Sequence, residues 1–565
     1  MKKILLLSCV LCVLCVPIVG AGATQIDDYN SQVENLVESF HSFYEASGDA
    51  EKMAAYDDTI TVKMVNWYNS SIVDYMATLE ERYGESLENN RLTDAILKAL
   101  NIDIEYDWLA NTDNGDYMTK LRLAIATGEL PDMFIVNDQA DVMQLAEAGV
   151  IWDVSELIDQ WAGVLDKEIW ASDNGALLQM VTYEGGIYGL PAGISDTDSF
   201  SYMWIRKDWL DKLGLSMPTT MEELKAVMDA FTKADFDGNG VNDSYGIALD
   251  KDLYYTVRGI LNAYGAYPEY WVKDEADTVV WGGAQEECKA ALQFLSELYR
   301  EGYIDPEFIT HSNADAMENV LNGKCGIVFG GHWLPAQLES MLEHDPDMSW
   351  YCPKLPTATG EDVVSALKPS YRGWVVINKN FEHPEAAFKI RALCSELLYD
   401  PNIDAVWWAH DGNGAVDVLK PFQGNVSAWY NLDCYREVQS CYANNGDTSS
   451  LTGGGLLHWN NLHGEDGWFW TQMFGPQDGT PFQVLDGAIS ANNYFYDAFL
   501  GPQSQLMIDR WSTIQDEQLR TFTKIIIGEV SVEEGFDAWV KSFDEMGGTQ
   551  ITSEVNDWYK SANAR

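Results

Sequence analysis

The chain has 565 residues and is 46% hydrophobic, which suits about two to four domains with large cores and excludes a disordered polymer. Its 88 acidic residues outnumber 35 basic ones, and the formal net charge of −53 repels phosphate backbones and anionic lipid. Nucleic acid and membrane surfaces are therefore disfavoured as partners, and sulfated or uronic-acid polymers would need a local basic pocket. The aromatic content of 12% suits sugar rings or packed cores, which composition does not separate.

The N-terminal stretch "MKKILLLSCVLCVLCVPIVGAGATQ" has a basic start, an apolar run up to Val19 and a small-residue site at Ala21-Gly22-Ala23. This order predicts an export signal over residues 1–23 and an extracytoplasmic mature chain. A membrane anchor is the alternative, but the apolar run is short for spanning a bilayer. The box Leu6-Leu7-Ser8-Cys9 resembles a lipoprotein cleavage site with a shortened apolar region, so lipid anchoring stays open.

The first part of the mature chain alternates strands with helices. Strands are predicted in "TITVKMVNWYN" (59–69), "NIDIEYDWL" (101–109) and "DMFIVND" (132–138), and helices in the segments between and after them. This alternation indicates an α/β fold with a parallel sheet, in which ligands bind beyond the carboxyl ends of the strands. The polar and aromatic residues at such ends are Asn66, Trp67, Asn137 and Asp138.

A second α/β run follows. The segment 217–231 predicts a surface helix with a capping box, Thr220 to Glu223, and further elements are a helix over 290–302 and strands over 326–331 and 373–379. From about 400 to 500 the periodicity weakens into Gly-, Asn- and aromatic-rich sequence. Long irregular segments in compact proteins are commonly functional.

The stretch "DFDGNGVNDSYG" (235–246) has the spacing of a calcium-binding loop. Asp235, Asp237 and Asn239 fall at positions 1, 3 and 5 of such a loop, and Asp243 falls at position 9. Position 12, which carries a bidentate Glu in EF-hands, is Gly246. A cation that gathers the carboxylates is one interpretation, and a solvated turn between a helix and a strand is the other.

No HExxH, GxSxG, Walker or CxxC pattern is present, and the chain has only 8 His. A glycosidase needs two carboxylates that flank a bond, but 88 acidic residues make chance pairs unavoidable. The sequence therefore predicts no catalytic residue.

Several stretches together resemble the extracellular solute-binding proteins, family 1, of ABC importers that carry carbohydrates, in their large lipoprotein-like branch. They are "KLRLAIATGELPDMFIVN", "LAEAGVIWDVSELID", "GGIYGLP", "WIRKDWLDKLGLSMPTTMEELKAVMDAFTKADFDGNGVNDSYGIAL" and "TKIIIGEVSVEEGFDAWVKSFDEMGGTQITSEVNDWYK". The resemblance implies a two-lobed, type II periplasmic-binding-protein-like fold, a hinge of several crossovers, a ligand cleft between the lobes and delivery to a membrane permease.

The resemblance also implies a structural calcium site at the acidic loop. Its ligands would be Asp235, Asp237, Asn239, the backbone carbonyl of Val241, and Asp243. Ser244 stands where the family often has an acidic residue, and this departure counts against the site.

A looser resemblance to maltose-type binding proteins places ligand contacts at Asn137, Asp138 and Trp333. Four further tryptophans are candidate sugar platforms because they lie at strand ends or in the irregular segment: Trp67, Trp374, Trp407 and Trp459. For each tryptophan, packing in a core is the alternative.

We therefore expect a monomeric binding protein that captures an oligosaccharide by hinge closure and passes it to ABC permease subunits. Lobe 1 is predicted to begin over 24–195, lobe 2 to follow over 196–365, the chain to return to lobe 1 over 366–500, and C-terminal helices over 501–565 to pack on lobe 2. A secreted glycan-active enzyme and a surface glycan-binding or sensing module are the alternatives.

Overall fold

The computed structural model describes residues 21–68, 73–113, 115–236, 240–400, 403, 408, 419–422, 425–464 and 467–563. The strands are β1 (Ile60–Tyr68), β2 (Ile102–Asn111), β3 (Met133–Val136), β4 (Thr182–Tyr183), β5 (Gly186–Ile187), β6 (Leu190–Gly193), β7 (Tyr202–Arg206), β8 (Trp271–Lys273), β9 (Val279–Trp281), β10 (Ile327–Gly330), β11 (Trp350–Tyr351), β12 (Ser365–Leu367), β13 (Tyr371–Ile377) and β14 (Tyr494–Tyr496).

The α-helices are Ala21–Ser47, Val73–Tyr83, Arg91–Leu100, Asp116–Thr127, Gln139–Glu147, Ser155–Trp161, Val164–Ala171, Ala176–Met180, Lys207–Leu213, Met221–Thr232, Tyr254–Ala263, Glu287–Arg300, Asn313–Leu321, Pro335–Leu338, Ala386–Tyr399, Tyr430–Ala443, Gly453–Leu462, Gly467–Phe474, Pro481–Ser490, Gln505–Ile526, Val532–Glu545 and Gly548–Asn563. Short 3-10 helices are Asp196–Ser199, Gly282–Ala284, Pro306–Thr310 and Glu339–Glu343.

Lobe 1 is built on a five-stranded sheet in the order β2-β1-β3-β13-β6. The strand β1 runs parallel to β2 and β3, as the alternating pattern predicts, whereas β13 runs antiparallel to β3 and β6. The sheet is therefore mixed. Because Trp374 of β13 pairs with Val136 of β3, the first residue of β13, Tyr371, lies at the edge of the sheet where β3 ends.

The N-terminal helix Ala21–Ser47 packs on lobe 1 through one apolar stripe. Val33, Leu36, Phe40 and Tyr44 recur at helical spacing and are fully buried in the same core as β1 and β2. Among the described residues, no helix is long and apolar enough to cross a membrane.

Lobe 2 is built on a three-stranded antiparallel sheet in the order β10-β7-β11. The helix Met221–Thr232 has the predicted capping box between Thr220 and Glu223. The three C-terminal helices contribute side chains such as Ile525 and Val555 to the same core as Ile205 of β7.

The segment from 430 to 490, which the sequence predicts as irregular, is largely helical where it is described, and it packs in one core with Tyr202 and Trp204 of β7. Its glycines permit close helix packing. A Cβ at Gly454 would clash with the Tyr430 hydroxyl, and a Cβ at Gly455 would clash with the Glu437 carboxylate. The lobe boundaries given above stay a prediction.

Several segments cross between the lobes. The chain leaves β6 through the 3-10 helix Asp196–Ser199 to reach β7, and it returns from β12 to β13. A third crossing, over 425–429, leads to the helix Tyr430–Ala443, and β14 pairs in parallel with β12 beside these crossings. Six cysteines of the described chain are buried: Cys288, Cys325, Cys352, Cys394, Cys434 and Cys441.

Candidate ligand-binding cleft

The edge of lobe 1 presents polar groups at the end of β3. The Asn137 side-chain amide donates to the backbone carbonyl of Arg372 at 2.7 Å. Asp138 caps the helix Gln139–Glu147, because its carboxylate accepts from the Ala140 N–H at 2.8 Å. Gln139 donates to the carbonyl of Leu500 at 3.2 Å, so this edge is joined to the chain that follows β14.

A cavity of about 330 Å³ is lined by residues of both lobes. Gln139 and Tyr371 come from lobe 1, while Glu269, Trp271 and Trp511 come from lobe 2. Its volume lies in the range of about 300–1,000 Å³ that is typical of ligand pockets. We call this the interlobe cavity.

Two charged residues from the crossings also line the interlobe cavity. The Lys368 ammonium donates to the Glu269 carbonyl at 2.8 Å and lies 3.9 Å from the Asp497 carboxylate. Burial raises the pKa of Asp497 to about 6, and the charge of Lys368 opposes that rise. At neutral pH these two charges compensate each other.

A second cavity, of about 350 Å³, lies against lobe 2 beside the end of β10, and we call it the lobe 2 cavity. Trp333 and Tyr255 supply aromatic faces. The Tyr255 hydroxyl accepts from the Gly331 N–H at 2.8 Å. The Asp250 carboxylate accepts from the Leu253 N–H at 2.9 Å and from Asn313 at 3.1 Å, so the polar lining is fixed before any ligand arrives.

The helix Tyr254–Ala263 connects the two cavities. Tyr255 lines the lobe 2 cavity, and Arg258, one turn later, forms a bidentate pair with Glu269 of the interlobe cavity at 2.9 and 3.0 Å. Arg258 also donates to the Ser199 carbonyl in the first crossing at 3.2 Å. Leu253, which precedes this helix, has a φ of +64°, a conformation that is costly for a non-glycine residue and that clusters at functional sites.

Charged groups also lie at the base of the first crossing. Burial raises the pKa of Asp198 to about 6, while the positive charge of Arg372 acts to lower it. Burial lowers the pKa of His332, whose Nδ1 lies 3.9 Å from Asp198, to about 3, so this imidazole is neutral. The exposed Arg372 guanidinium has no carboxylate partner within 4.0 Å in the described part of the chain.

The profile of the bacterial extracellular solute-binding protein family matches residues 85–390. This chain belongs to that family. It is 28% identical over 260 residues to the polygalacturonan/rhamnogalacturonan-binding protein YtcQ of Bacillus subtilis, which covers 46% of this chain and 49% of YtcQ. The chain thus spans about half the length of this curated relative.

Solved structures of other solute-binding proteins share the fold. An HMO-binding, ABC-transporter-associated solute-binding protein of Bifidobacterium longum infantis superposes with a TM-score of 0.60 at 18% identity, covering 89% of this chain and 99% of that one. An EF-hand mutant of the Streptococcus pneumoniae substrate-binding protein FusA, in complex with fructo-nystose, gives a TM-score of 0.55 at 17% identity, with 89% and 100% covered. The two-lobed α/β fold expected from the sequence is confirmed.

The predicted ligand residues lie in different places: some are at the two cavities or the lobe 1 edge, and others are not. Trp333 lines the lobe 2 cavity, and Asn137 and Asp138 lie at the lobe 1 edge. Trp67 is half-buried at the end of β1. Trp407 lies outside the described residues.

The other two predicted tryptophans are packing residues here. Trp374 is 0% exposed in the centre of the lobe 1 sheet, and its indole N–H donates to the Leu177 carbonyl at 2.9 Å, so it offers no face to a ligand. Trp459 packs against Tyr442 and His463, with ring centroids 4.8 and 4.4 Å apart, and lies in neither cavity.

Sequence reasoning missed Tyr255, Trp271, Tyr371 and Arg258. None of them lies in a motif, and they converge only because the crossings bring distant segments together. The one local signal is the placement of Tyr371 and Arg372 directly before an apolar strand, at its amino end, whereas the parallel-sheet rule points to carboxyl ends.

The acidic loop is only partly described, since Asp237 and Asn239 lie outside the described residues. The Asp235 carboxylate accepts from the Gly240 N–H at 2.9 Å, and the Phe236 ring stacks on Trp209 at 3.6 Å. Val241 is 56% exposed, and Asp243 is exposed. No group of three or more metal-binding side chains occurs among the described residues.

The structure explains why this loop ends without a glutamate. A Cβ at Gly246 would meet the Met228 side chain at 2.7 Å and Tyr303 at 3.0 Å. Position 12 therefore packs against the lobe 2 core and has no room for a carboxylate. The remaining donors, carboxylates and a carbonyl, are the oxygen ligands that calcium prefers, but the usual bidentate ligand is missing.

Proposed function

We propose that this chain is the extracytoplasmic substrate-binding protein of an ABC importer and that it captures a neutral oligosaccharide by closing its two lobes. The observation that carries the proposal is the interlobe cavity, to which Gln139 and Tyr371 contribute from one lobe and Glu269 and Trp271 from the other. A ligand that contacts both lobes stabilises the closed state, because only that state offers both sets of contacts. The permease would then bind the closed form.

The chemistry of both cavities suits a sugar. Aromatic rings such as Trp333 and Tyr255 can cover the apolar C–H face of a pyranose, while carboxylates and amides bind its hydroxyl groups. Two adjoining cavities linked by the Arg258–Glu269 pair suit a chain of sugar units better than a single ring. Relatives described as binding polysaccharides and oligosaccharides support this assignment.

Charge favours an uncharged ligand. The lobe 2 cavity contains Asp250 and Asp252 and no basic residue among its described lining residues. Lys368 is the basic residue among the described lining of the interlobe cavity, and Glu269 and Asp497 lie beside it. A uronate carboxylate would meet like charge in the lobe 2 cavity, so the preferred ligand differs from the polygalacturonan for which YtcQ is named.

A thermal shift panel tests the proposal. The mature protein is mixed with neutral fructo- and galacto-oligosaccharides and with oligogalacturonides of matched length, and the sugars are analysed afterwards. A ligand at a hundredfold excess over its Kd stabilises the folded state by about 2.7 kcal/mol. We expect stabilisation by a neutral sugar that is recovered intact. Cleavage would indicate the glycan-active enzyme instead, and a preference for oligogalacturonides would overturn the charge argument.

A matched pair of tryptophan variants locates the site. Trp333→Ala should abolish the shift given by the best sugar, because it removes an aromatic face of the lobe 2 cavity. Trp459→Ala removes a tryptophan of similar exposure that lies outside both cavities, and it should leave the shift unchanged. Equal loss in both variants would contradict this placement.

The acidic loop is proposed to bind calcium in a structural role. Asp235, Asp243 and the Val241 carbonyl would hold the ion, together with Asp237 and Asn239 outside the described residues. The ion would neutralise the carboxylates and fix the loop that places Phe236 on Trp209. Calcium should raise the unfolding temperature of the wild type and not that of Asp243→Asn. An equal response of both proteins would contradict the site.

A further inference from the structure

One buried carboxylate is bonded to several of the segments that join the lobes. Asp196 is 1% exposed and begins the 3-10 helix of the first crossing. Its N–H donates to the Ala428 carbonyl at 2.8 Å. Its two carboxylate oxygens accept from the Ser370 N–H and from the Tyr496 hydroxyl, each at 2.7 Å. These three partners lie on the third crossing, on the β12–β13 return and on β14.

The Asp196 side chain therefore links three chain segments, its own crossing, the β12–β13 return and β14, while its backbone N–H reaches the third crossing. Both partners of the carboxylate are hydrogen-bond donors, and an ionised carboxylate accepts from both at full strength. A protonated Asp196 would keep one oxygen as an acceptor but would carry a hydrogen on the other. Tyr496 would then have to turn and accept, and the two charge-assisted bonds would become weaker neutral ones.

The charged and polar groups on the neighbouring segments set the pKa of Asp196. Burial disfavours its ionisation most, and Asp173 on lobe 1 and Asp198 on its own segment also disfavour it, while the Ser370 and Tyr496 donors favour it. The basic groups on the β12–β13 return are directed elsewhere: the ammonium of Lys368 donates to the Glu269 carbonyl, and Arg372 influences Asp198. The balance raises the pKa of Asp196 to about 7.

We propose that Asp196 is the positioning residue of the hinge: its ionised carboxylate holds the crossing segments in the arrangement that forms the cleft, and proton uptake loosens that arrangement. Asp196 lines neither cavity, so it acts through Ser370 and Tyr496 and not by touching a ligand. The consequence for lobe closure rests on the proposed function, whereas the hinge itself can be examined without any sugar.

Amide hydrogen exchange of the full-length, ligand-free protein tests this at pH 6 and pH 8, with rates corrected for intrinsic exchange. The readout is the peptide that contains Ser370. With a pKa of about 7, Asp196 would be mostly protonated at pH 6 and mostly ionised at pH 8. In the wild type we expect about tenfold greater protection at pH 8, the size of effect that one hydrogen bond to a charged group confers.

Two isosteric variants assign the effect. Asp196→Asn does not titrate, and it should show the same protection at both pH values, close to that of the wild type at pH 6. Asp198→Asn is the matched control, because Asp198 also titrates near pH 6 and lies only two residues from Asp196. This variant should retain the change in protection between pH 6 and pH 8. A change that disappears in Asp198→Asn and persists in Asp196→Asn would overturn the proposal.

A third variant keeps the proposal testable if Asp196→Asn does not fold. Tyr496→Phe keeps the carboxylate and removes a donor that favours its ionised form, so the midpoint of the protection change should move to higher pH. An unchanged midpoint would also overturn the proposal. These outcomes require no sugar, so failure of the carbohydrate assignment is distinguishable from failure of the hinge.

Discussion

Substitution of Gly246 by alanine tests whether the end of the acidic loop is packed or exposed. The added methyl group would lie 2.7 Å from one atom of Met228 and 3.0 Å from another, and 3.0 Å from Tyr303, all closer than normal contact. The Gly246 N–H also donates to the Tyr303 carbonyl at 2.7 Å, which keeps the backbone from moving away. Overpacking of this kind costs about 1–3 kcal/mol of folding free energy.

The assay is urea unfolding followed by tryptophan fluorescence, with and without calcium. Gly246→Ala should lower the free energy of unfolding in both conditions, and Gly246→Glu should lower it further. Gly487→Ala is the control, because nothing lies within 4 Å of its added Cβ and it sits in the helix Pro481–Ser490, where alanine gains about 0.5–1 kcal/mol. If Gly246→Glu instead stabilises the protein in calcium, position 12 is open and the packing argument fails.

Three further predictions follow from buried or cleft groups. Trp374→Ala should cost about 3–5 kcal/mol in chemical unfolding, since the side chain is 0% exposed, and a variant of wild-type stability would refute its place in the core. Arg258→Ala should weaken binding of the best sugar in the panel by about tenfold. Arg258→Lys should not restore binding, because lysine cannot form the bidentate pair with Glu269. Full rescue by lysine would show that binding does not depend on the bidentate pair. Burial raises the pKa of Glu396 from an ordinary value of 4.5 to about 8, so its contribution to stability is fully present below pH 4.5 and is lost as the pH rises to 8. The stability advantage of Glu396→Gln over the wild type should therefore grow by roughly 1–3 kcal/mol between pH 5 and pH 8. A constant difference between the two proteins would contradict this.

Sequence reasoning succeeded where structure is set by nearby residues. The helix Met221–Thr232 was predicted with its cap and its buried face, because both depend on residues within a few turns. The strands β1 to β3 were likewise readable from their alternation with helices. These predictions required no knowledge of the other lobe.

The failures have a different cause. Trp374 resembles any aromatic residue at a strand end, and its burial follows from the insertion of β13 between β3 and β6, which are distant in sequence. The glycines at 453–455 read as a loop signal but serve close helix packing. The cleft residues Tyr255 and Tyr371 likewise depend on contacts that no local pattern encodes.

The position of β13 also has a consequence for the order in which this protein is made. The lobe 1 sheet lacks an inner strand until residue 377 has been synthesised, although β3 ends at Val136. The lobe 2 core is completed later still, since it needs Ile551 and Val555 of the last helix. Contacts so distant in sequence form slowly. Lobe 1 therefore gains its inner strand only after most of lobe 2 has been made, and the lobe 2 core closes only when the last helix is present.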